Sequence, residues 1–438
     1  MKKIFFIIQV LIIALVVNAQ DDVYPTPPQK GLLFIKNATI HVGNGNVINN
    51  GTIKVDNGKI AEVGTNISIP SGASVYDATG KQVYPGLILA ATDLGLKEIS
   101  GAVRGSNDYQ ELGDWNPNVQ SIVAYNTDSK IINTLKANGI LLANVTPTGS
   151  LIEGTSSVVQ LDAWNWEDAL YKRNTALILS MPSLIARRGR FGGGGVFGPQ
   201  QQQQTDPVKE ALDRIEEVKS FFREAKAYSQ EANHKETNIK FEAMKSLFDK
   251  KTKLFVEAET VKQMLIAVDF AKEFNIDVVI VGGQESWQIA DLLKQNNIAI
   301  ILGREHNLPE TEDEDVDQPY KTPYMLKKAG VLFALNDDHG ESRYRNLSFN
   351  AGTAVAYGLT KEEALQAITL DAAKILGIDN VTGSIEAGKD ANIVVSEGDI
   401  LDMRTAIIDA AFIQGRKVSL ENKQTQLYER YKTKYGIK

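Results

Sequence analysis

The sequence predicts an α/β fold: a parallel sheet with crossover helices, of a size that suits a barrel, inserted in a small composite β-sandwich built from both termini. Three observations predict it. Between Pro85 and about Ile385, strand-like apolar runs alternate with helix-period stretches, the order expected of strands joined by crossover helices. Short β-like segments fill residues 32–84 and recur after Gly388. A length of 438 residues exceeds one ordinary domain and leaves room for a barrel of roughly 250 residues with a smaller companion.

The first segment is not expected to belong to the fold. Met1 to Ala19 carries Lys2 and Lys3, an apolar run from Ile4 to Val17, then Val17-Asn18-Ala19, the three parts of a secretory signal. Cleavage is expected after Ala19, sending the chain to the periplasm or out of the cell with no membrane span left. The apolar run is short for a spanning helix of about 20 residues. The formal charge of −7 speaks against nucleic acid as a partner. The chain has no cysteine, so disulfides, thiolate metal sites and acylation on cysteine are all excluded. Stability must come from packing.

Residues 20–31, with Pro25, Pro27 and Pro28, read as a linker. The first part of the composite domain spans 32–84. Its expected strands lie at Leu33–Ile35, Thr39–Val42, Gly51–Val55, Lys59–Val63 and Ser74–Tyr76, cut by turns such as Asn57-Gly58. Five short strands cannot easily close a core alone. Their complement is expected at 386–421, where Gly388–Val395, Thr405–Ile408 and Ala411–Val418 are strand-like; residues 422–438 read as a tail.

Within 85–385, strands are expected at Ile140–Val145, Leu254–Val256, Val278–Val281, Ile298–Leu302 and Val331–Leu335. Thr360 and Glu363 form a capping box opening one helix, Thr369 opens the next, and that one ends near Leu376-Gly377. The stretch 187–204, rich in glycine and glutamine, reads as a disordered surface insertion; as a mobile lid, it would present Arg187, Arg188 and Arg190 to anions. A charged helical stretch follows, from about Asp206 to Lys250.

Several patches resemble the amidohydrolase superfamily, nearest to its imidazolonepropionase-like members. Asn37-Ala-Thr-Ile40, Asn57-Gly-Lys-Ile60, Asp77-Ala-Thr-Gly-Lys81 and Pro85-Gly86 are similar to that family's N-terminal cassette. Gly383-Ser-Ile-Glu-Ala-Gly-Lys-Asp-Ala-Asn-Ile-Val-Val395 is similar to its C-terminal strand. The resemblance implies a (β/α)8 TIM barrel over 85–385, with chemistry at the C-terminal ends of the strands. It also implies a metal-dependent hydrolase of non-peptide C–N bonds, in amides or cyclic amides.

The same resemblance exposes a departure at the expected metal site. Pro85-Gly-Leu-Ile-Leu-Ala-Ala-Thr-Asp93 is similar to the strand carrying the family's His-x-His pair, but Ala91 and Asp93 stand in those places. Leu254-Phe-Val-Glu-Ala258 puts Glu257 where a histidine is expected, and Gly282 stands for the next one. Gly330-Val-Leu-Phe-Ala-Leu-Asn-Asp-Asp338 gives Asp338 the place of the aspartate that binds metal and moves protons, followed by His339.

Of the four histidines, His41, His234, His306 and His339, none falls on a family ligand position. Without imidazole or thiolate the site would serve zinc poorly. Asp93, Glu257 and Asp338 would offer only oxygen, which suits one hard divalent cation, Mg²⁺, Ca²⁺ or Mn²⁺. Ala91, Gly282 and His339 complete the candidate pocket, and Arg104, Asp108, Glu111 and Asp114 follow the first barrel strand, where family members place substrate contacts.

Three readings therefore stand open. The chain is a hydrolase with an eroded zinc site; or a catalytically inactive subunit or scaffold paired with an active homologous amidohydrolase; or a periplasmic binder of a small solute. In each, the expected partner at the pocket is a small molecule.

Overall fold

The computed structural model describes residues 23–98, 107–184, 206–231, 233–303, 305–309, 314–337 and 343–437. The expected signal segment, the 187–204 insertion, Arg104, Asp338 and His339 lie outside the described residues. Among the described residues no helix is long and apolar enough to cross a membrane.

The chain opens with β1 (Leu32–His41), β2 (Val47–Asp56), β3 (Lys59–Gly64), β4 (Ser74–Asp77) and β5 (Gln82–Pro85). β1 runs unbroken through both short strands expected there. The register shifts after Ile35, and Asn37 takes φ 61° to absorb the irregularity.

The barrel staves follow: β6 (Leu87–Thr92), β7 (Ile140–Val145), β8 (Ile152–Thr155), β9 (Ser157–Gln160), β10 (Leu170–Lys172), β11 (Ala176–Ser180), β12 (Lys253–Ala258), β13 (Val278–Gly282), β14 (Ala299–Leu302) and β15 (Phe333–Leu335). β6 pairs parallel with β7, and β11 to β15 pair parallel in sequence. Between β7 and β11 the stave runs the other way. It is made of β9, antiparallel to β7, and β8, antiparallel to β11, joined at Ser156.

The ring closes through a side chain. Asn336, just past β15, accepts from the backbone N–H of Ala90 at 3.1 Å and of Ala91 at 3.3 Å, and donates to Ala91 O at 2.8 Å.

Alternation along the staves sorts the core. Ile88, Leu142, Val158, Ile178, Phe255, Val279, Ile301 and Ala334 share one buried cluster inside the ring. Leu87, Leu89, Leu254, Val256, Val278 and Ile280 belong to the larger cluster facing the helices.

The helices that matter below are α1 (Lys130–Lys136), α2 (Pro207–Gln230), α3 (Ile239–Phe248), α4 (Val261–Phe274), α5 (Gln318–Ala329), α6 (Leu347–Ala356), α7 (Lys361–Ala367) and α8 (Leu370–Leu376). The charged stretch thus forms two helices, α2 and α3. Thr360 and Glu363 make the expected capping box on α7.

Ala372, Ala373, Ile375 and Leu376 of α8 pack into the inner cluster, so this helix plugs one mouth. Its terminal carbonyls are capped from the staves: Lys253 Nζ donates to Ile375 O at 2.5 Å and Lys172 Nζ to Leu376 O at 2.8 Å. Cations suit that end of the helix dipole.

The chain then returns to the first domain with β16 (Ile393–Ser396), β17 (Ile408–Ile413) and β18 (Arg416–Val418). One sheet results, in the order β18-β17-β16-β5-β1-β2-β3, with β4 beside β1. The expected strand at Thr405–Ile408 begins only at Ile408, and the run to Val418 is a hairpin turning at Gln414 and Gly415, which take φ 49° and 73°. Residues expected as a tail form α9 (Lys423–Tyr435), capped by Asn422, with none of its own residues buried.

His41, at the end of β1, ties this sheet to the barrel. Its Nδ1 lies 2.6 Å from Glu362 Oε1 on α7, its Nε2 3.0 Å from Gln82 Oε1, and its ring stacks on Tyr84. Burial opposes the charge on His41, but the hydrogen bonds to Glu362 and Gln82, with the fields of Glu362 and Asp399, outweigh it and raise the pKa above 6.5. A raised folded-state pKa gives stability that is full below the unfolded value and lost as pH rises through the folded one. His41→Gln should therefore lower stability by about 1 kcal/mol at pH 5.5 and by much less at pH 9. Urea denaturation at the two pH values measures this; equal losses would reject a charged His41.

Candidate functional site

The unplugged mouth holds the C-terminal ends of the parallel staves, the face on which barrel folds place chemistry. On β12, Phe255 points inward, so Glu257, two residues on, shares its face. The register puts Ser180, Val281 and Ile301 beside it: Ser180 pairs with Glu257, Glu257 with Val281, and Val281 with Ile301. Gly282 pairs instead with Ala258 on the opposite parity. The inward neighbour of Glu257 is thus a valine. Gly282 takes φ +96°, and a Cβ there would stand 2.3 Å from Glu259 Oε1.

The structure adds a residue that the sequence reading missed. Glu153 lies on β8, only 2% exposed. Its Oε1 accepts from Gly149 N–H at 3.0 Å, while its Oε2 is buried and has no hydrogen-bond partner among the described residues. Burial first, and then the charge of Glu257, push its pKa up to about 9, against the backbone hydrogen bonds from Gly149 and Ser150. At neutral pH Glu153 is therefore a carboxylic acid within the field of Glu257.

Gly154 lets this strand approach its neighbour, since φ is +120° and a Cβ would stand 2.8 Å from Val119 O. Gly149 is held from its other side by Gln110, whose Nε2 donates to Gly149 O at 2.8 Å. Gln110, with Asp108, Glu111, Gln120 and Pro147, lines a cleft of about 500 Å³.

The other expected residues are placed as follows. Ala91 faces the inner cluster, and its backbone is held by Asn336. Asp93 Oδ1 accepts from the hydroxyl of buried Tyr344, and its carbonyl accepts from Leu96 N–H at 2.9 Å. Asp114 pairs with Arg214 of α2 at 2.6 Å. Asp337 accepts from Asn350 of α6 at 3.2 Å.

Of the described histidines, His41 lies in the sheet domain. His234 stacks on Tyr228 at 3.5 Å, and His306 turns to Thr353 Oγ1 of α6 at 2.7 Å. None of them enters the mouth.

These donors do not fit a family-type zinc ion. Ala91 and Gly282 offer nothing, and Val281 and Ile301 put carbon beside Glu257. Among the described residues no group of three histidine, cysteine or acidic side chains could hold a metal. Asp338, the third member of the expected oxygen trio, lies outside the described residues.

A barrel whose two chain ends build one flanking sheet, with acidic residues at the open mouth, defines the structural class. The comparisons supply the family. An amidohydrolase family model matches residues 236–419. The solved structure of an amidohydrolase from Thermotoga maritima superposes with a TM-score of 0.74 at 26% identity, covering 88% of this chain and 99% of that one. An imidazolonepropionase of Flavobacterium johnsoniae is 29% identical over 159 residues, 33% of this chain and 39% of the relative. An adenine deaminase of Desulforamulus reducens is 31% identical over 106 residues, 24% of this chain and 17% of the relative. The matched stretches thus span well under half of these two curated relatives. Residues 236–419 match the amidohydrolase family in sequence, and the chain as a whole is similar in fold to a solved amidohydrolase.

Proposed function

We propose that this is an exported hydrolase of a non-peptide C–N bond, in an amide or cyclic amide, that works through a carboxyl pair instead of zinc. One observation carries the reading: Glu153, held protonated, faces the charge of Glu257 at the barrel mouth. A carboxyl kept protonated beside a second carboxyl can divide the roles of acid and base with it. Glu257 takes a proton from water as its oxygen bonds to the carbonyl carbon. Glu153 gives its proton to the departing nitrogen as the C–N bond breaks. The products are a carboxylic acid and an amine, and proton exchange from Glu257 to Glu153 restores the pair.

Turnover of an amide and cyclic-amide panel by chelator-washed protein tests this. Undiminished activity after washing supports the pair; activity restored only by Mg²⁺, Ca²⁺ or Mn²⁺ would favour an oxygen-only cation at Asp93, Glu257 and Asp338 instead. The second reading, an inactive subunit paired with an active homologue, is favoured by the carbon at Ala91 and Val281. It predicts no turnover by the isolated chain, and co-purification with a related chain that keeps its His-x-His strand.

A further inference from the structure

The turn that leads into β8 is gripped from outside by the stretch that follows β6. Successive residues are held: Thr148 N–H donates to Tyr109 O at 2.8 Å, Gly149 O accepts from Gln110 Nε2 at 2.8 Å, and Ser150 Oγ accepts from Asn116 Nδ2 at 3.3 Å. The grip continues along the strand, where Ile152 N–H donates to Asp114 O at 2.8 Å and Asn116 N–H to Ile152 O at 2.9 Å. Glu153 hangs from this turn, because its Oε1 accepts from Gly149 N–H and the Ser150 N–H also acts on its carboxyl.

The contact made by Gln110 has a directional effect. It takes the carbonyl of the Gly149–Ser150 peptide, and in a trans peptide the C=O and N–H point opposite ways. Fixing the carbonyl on Gln110 therefore turns the Ser150 N–H away from Gln110 and toward Glu153. A carbonyl that accepts a hydrogen bond also makes the N–H of its own peptide a stronger donor. The Gln110 side chain lies close against Gly149, where φ is +96° and a Cβ would stand 2.5 Å from Gln110 Cδ, so glycine is required at this clasp.

We propose that Gln110 is a positioning residue for Glu153, aiming the Gly149–Ser150 peptide at Oε1 so that the proton given to the leaving nitrogen resides on Oε2; this role rests on the carboxyl-pair reading. Oε1, already filled by N–H donors, is a poor seat for a proton, while Oε2 has no partner among the described residues. A proton on Oε2 is free to leave with the departing nitrogen. A proton on Oε1 would break the cradle.

Gln110→Met keeps the bulk beside Gly149 and removes the donor. The test is a ¹³C NMR titration of the Glu153 carboxyl in the full chain, parent against variant, with kcat and KM followed over the same pH range on any amide turned over. The charge of Glu257, which acts on Glu153, is present in both proteins. N–H donors favour the ionised carboxyl, so Glu153 of the variant should titrate about one pH unit higher, and the alkaline limb of kcat should move with it. kcat should fall about tenfold with KM little changed. An unshifted titration overturns the proposal, as does a fall in kcat that keeps the parent's alkaline limb, the result that lost packing alone would give. A shifted titration without amide turnover supports Gln110 as the residue that positions Glu153 and counts against the carboxyl-pair reaction alone.

Discussion

Asp162→Ala is expected to cost about 3–5 kcal/mol, because it leaves the buried Lys136 ammonium without its carboxylate and takes the same charge from the neighbouring Arg416. Asp162 follows β9 and is almost fully buried. Its Oδ1 pairs with Lys136 Nζ of α1 at 3.1 Å, and its Oδ2 accepts from Thr26 N–H at 2.9 Å. Arg416 of β18 reaches it from the sheet domain, donating to Asp162 O at 3.2 Å and to Thr26 O at 3.0 Å. Burial lowers the proton affinity of both Lys136 and Arg416, and the charge of Asp162 opposes that loss. Three parts of the chain meet here: the linker, the barrel and the last strand. Urea denaturation measures the loss. Lys136→Met combined with Asp162→Leu should recover much of it, since burying apolar side chains of similar size removes the need for the pair. A loss below 1 kcal/mol for Asp162→Ala would show that water reaches the site.

Glu153→Gln and Glu257→Gln are each expected to lower kcat by about 10²–10⁴-fold on any amide the protein hydrolyses. The two should differ in their pH dependence. Activity of the parent falls as pH rises through about 9, where Glu153 loses its proton. The stability sign follows from the same group. A carboxyl whose folded-state pKa is raised above its unfolded value near 4.5 carries no penalty below that value; the penalty grows as pH climbs from there to the folded pKa and is complete above it. Glu153→Gln should therefore match the parent near pH 4 and exceed it by about 1–3 kcal/mol at pH 10. Paired kcat and denaturation profiles from pH 4 to 10 measure both. A variant with unchanged kcat would remove Glu153 from the chemistry, while an unchanged stability profile would show that it is ionised throughout.

Much of the architecture is legible in local sequence, because it rests on local signals. The strands at both ends, the Thr360–Glu363 capping box and Gly377 at the end of α8 all carry short-range marks of their geometry. What escapes is set by pairing. Leu151–Gln160 mixes Glu153, Gly154, Thr155 and two serines among its apolar residues, so no period marks it as a strand, and its antiparallel course depends on partners far along the chain.

Glu153 was findable only as a carboxylate beside Leu151 and Ile152. Gly282 illustrates the opposite limit: matching by pattern selects that position, but the β12–β13 register gives the inward place to Val281. α9 carries clear end signals in Asn422 and Gly436, yet it has no apolar stripe to announce it and buries no residue.

The Asn336 closure has a mechanical consequence. Elsewhere neighbouring staves share a ladder of several backbone bonds, but among the described residues between β15 and β6 one carboxamide rivets the ends together. That seam is where the cylinder splits first, so the amides of Ala90 and Ala91 should exchange with deuterium ahead of those in β12 and β13. Anything that tightens the rivet stiffens the entrance it guards.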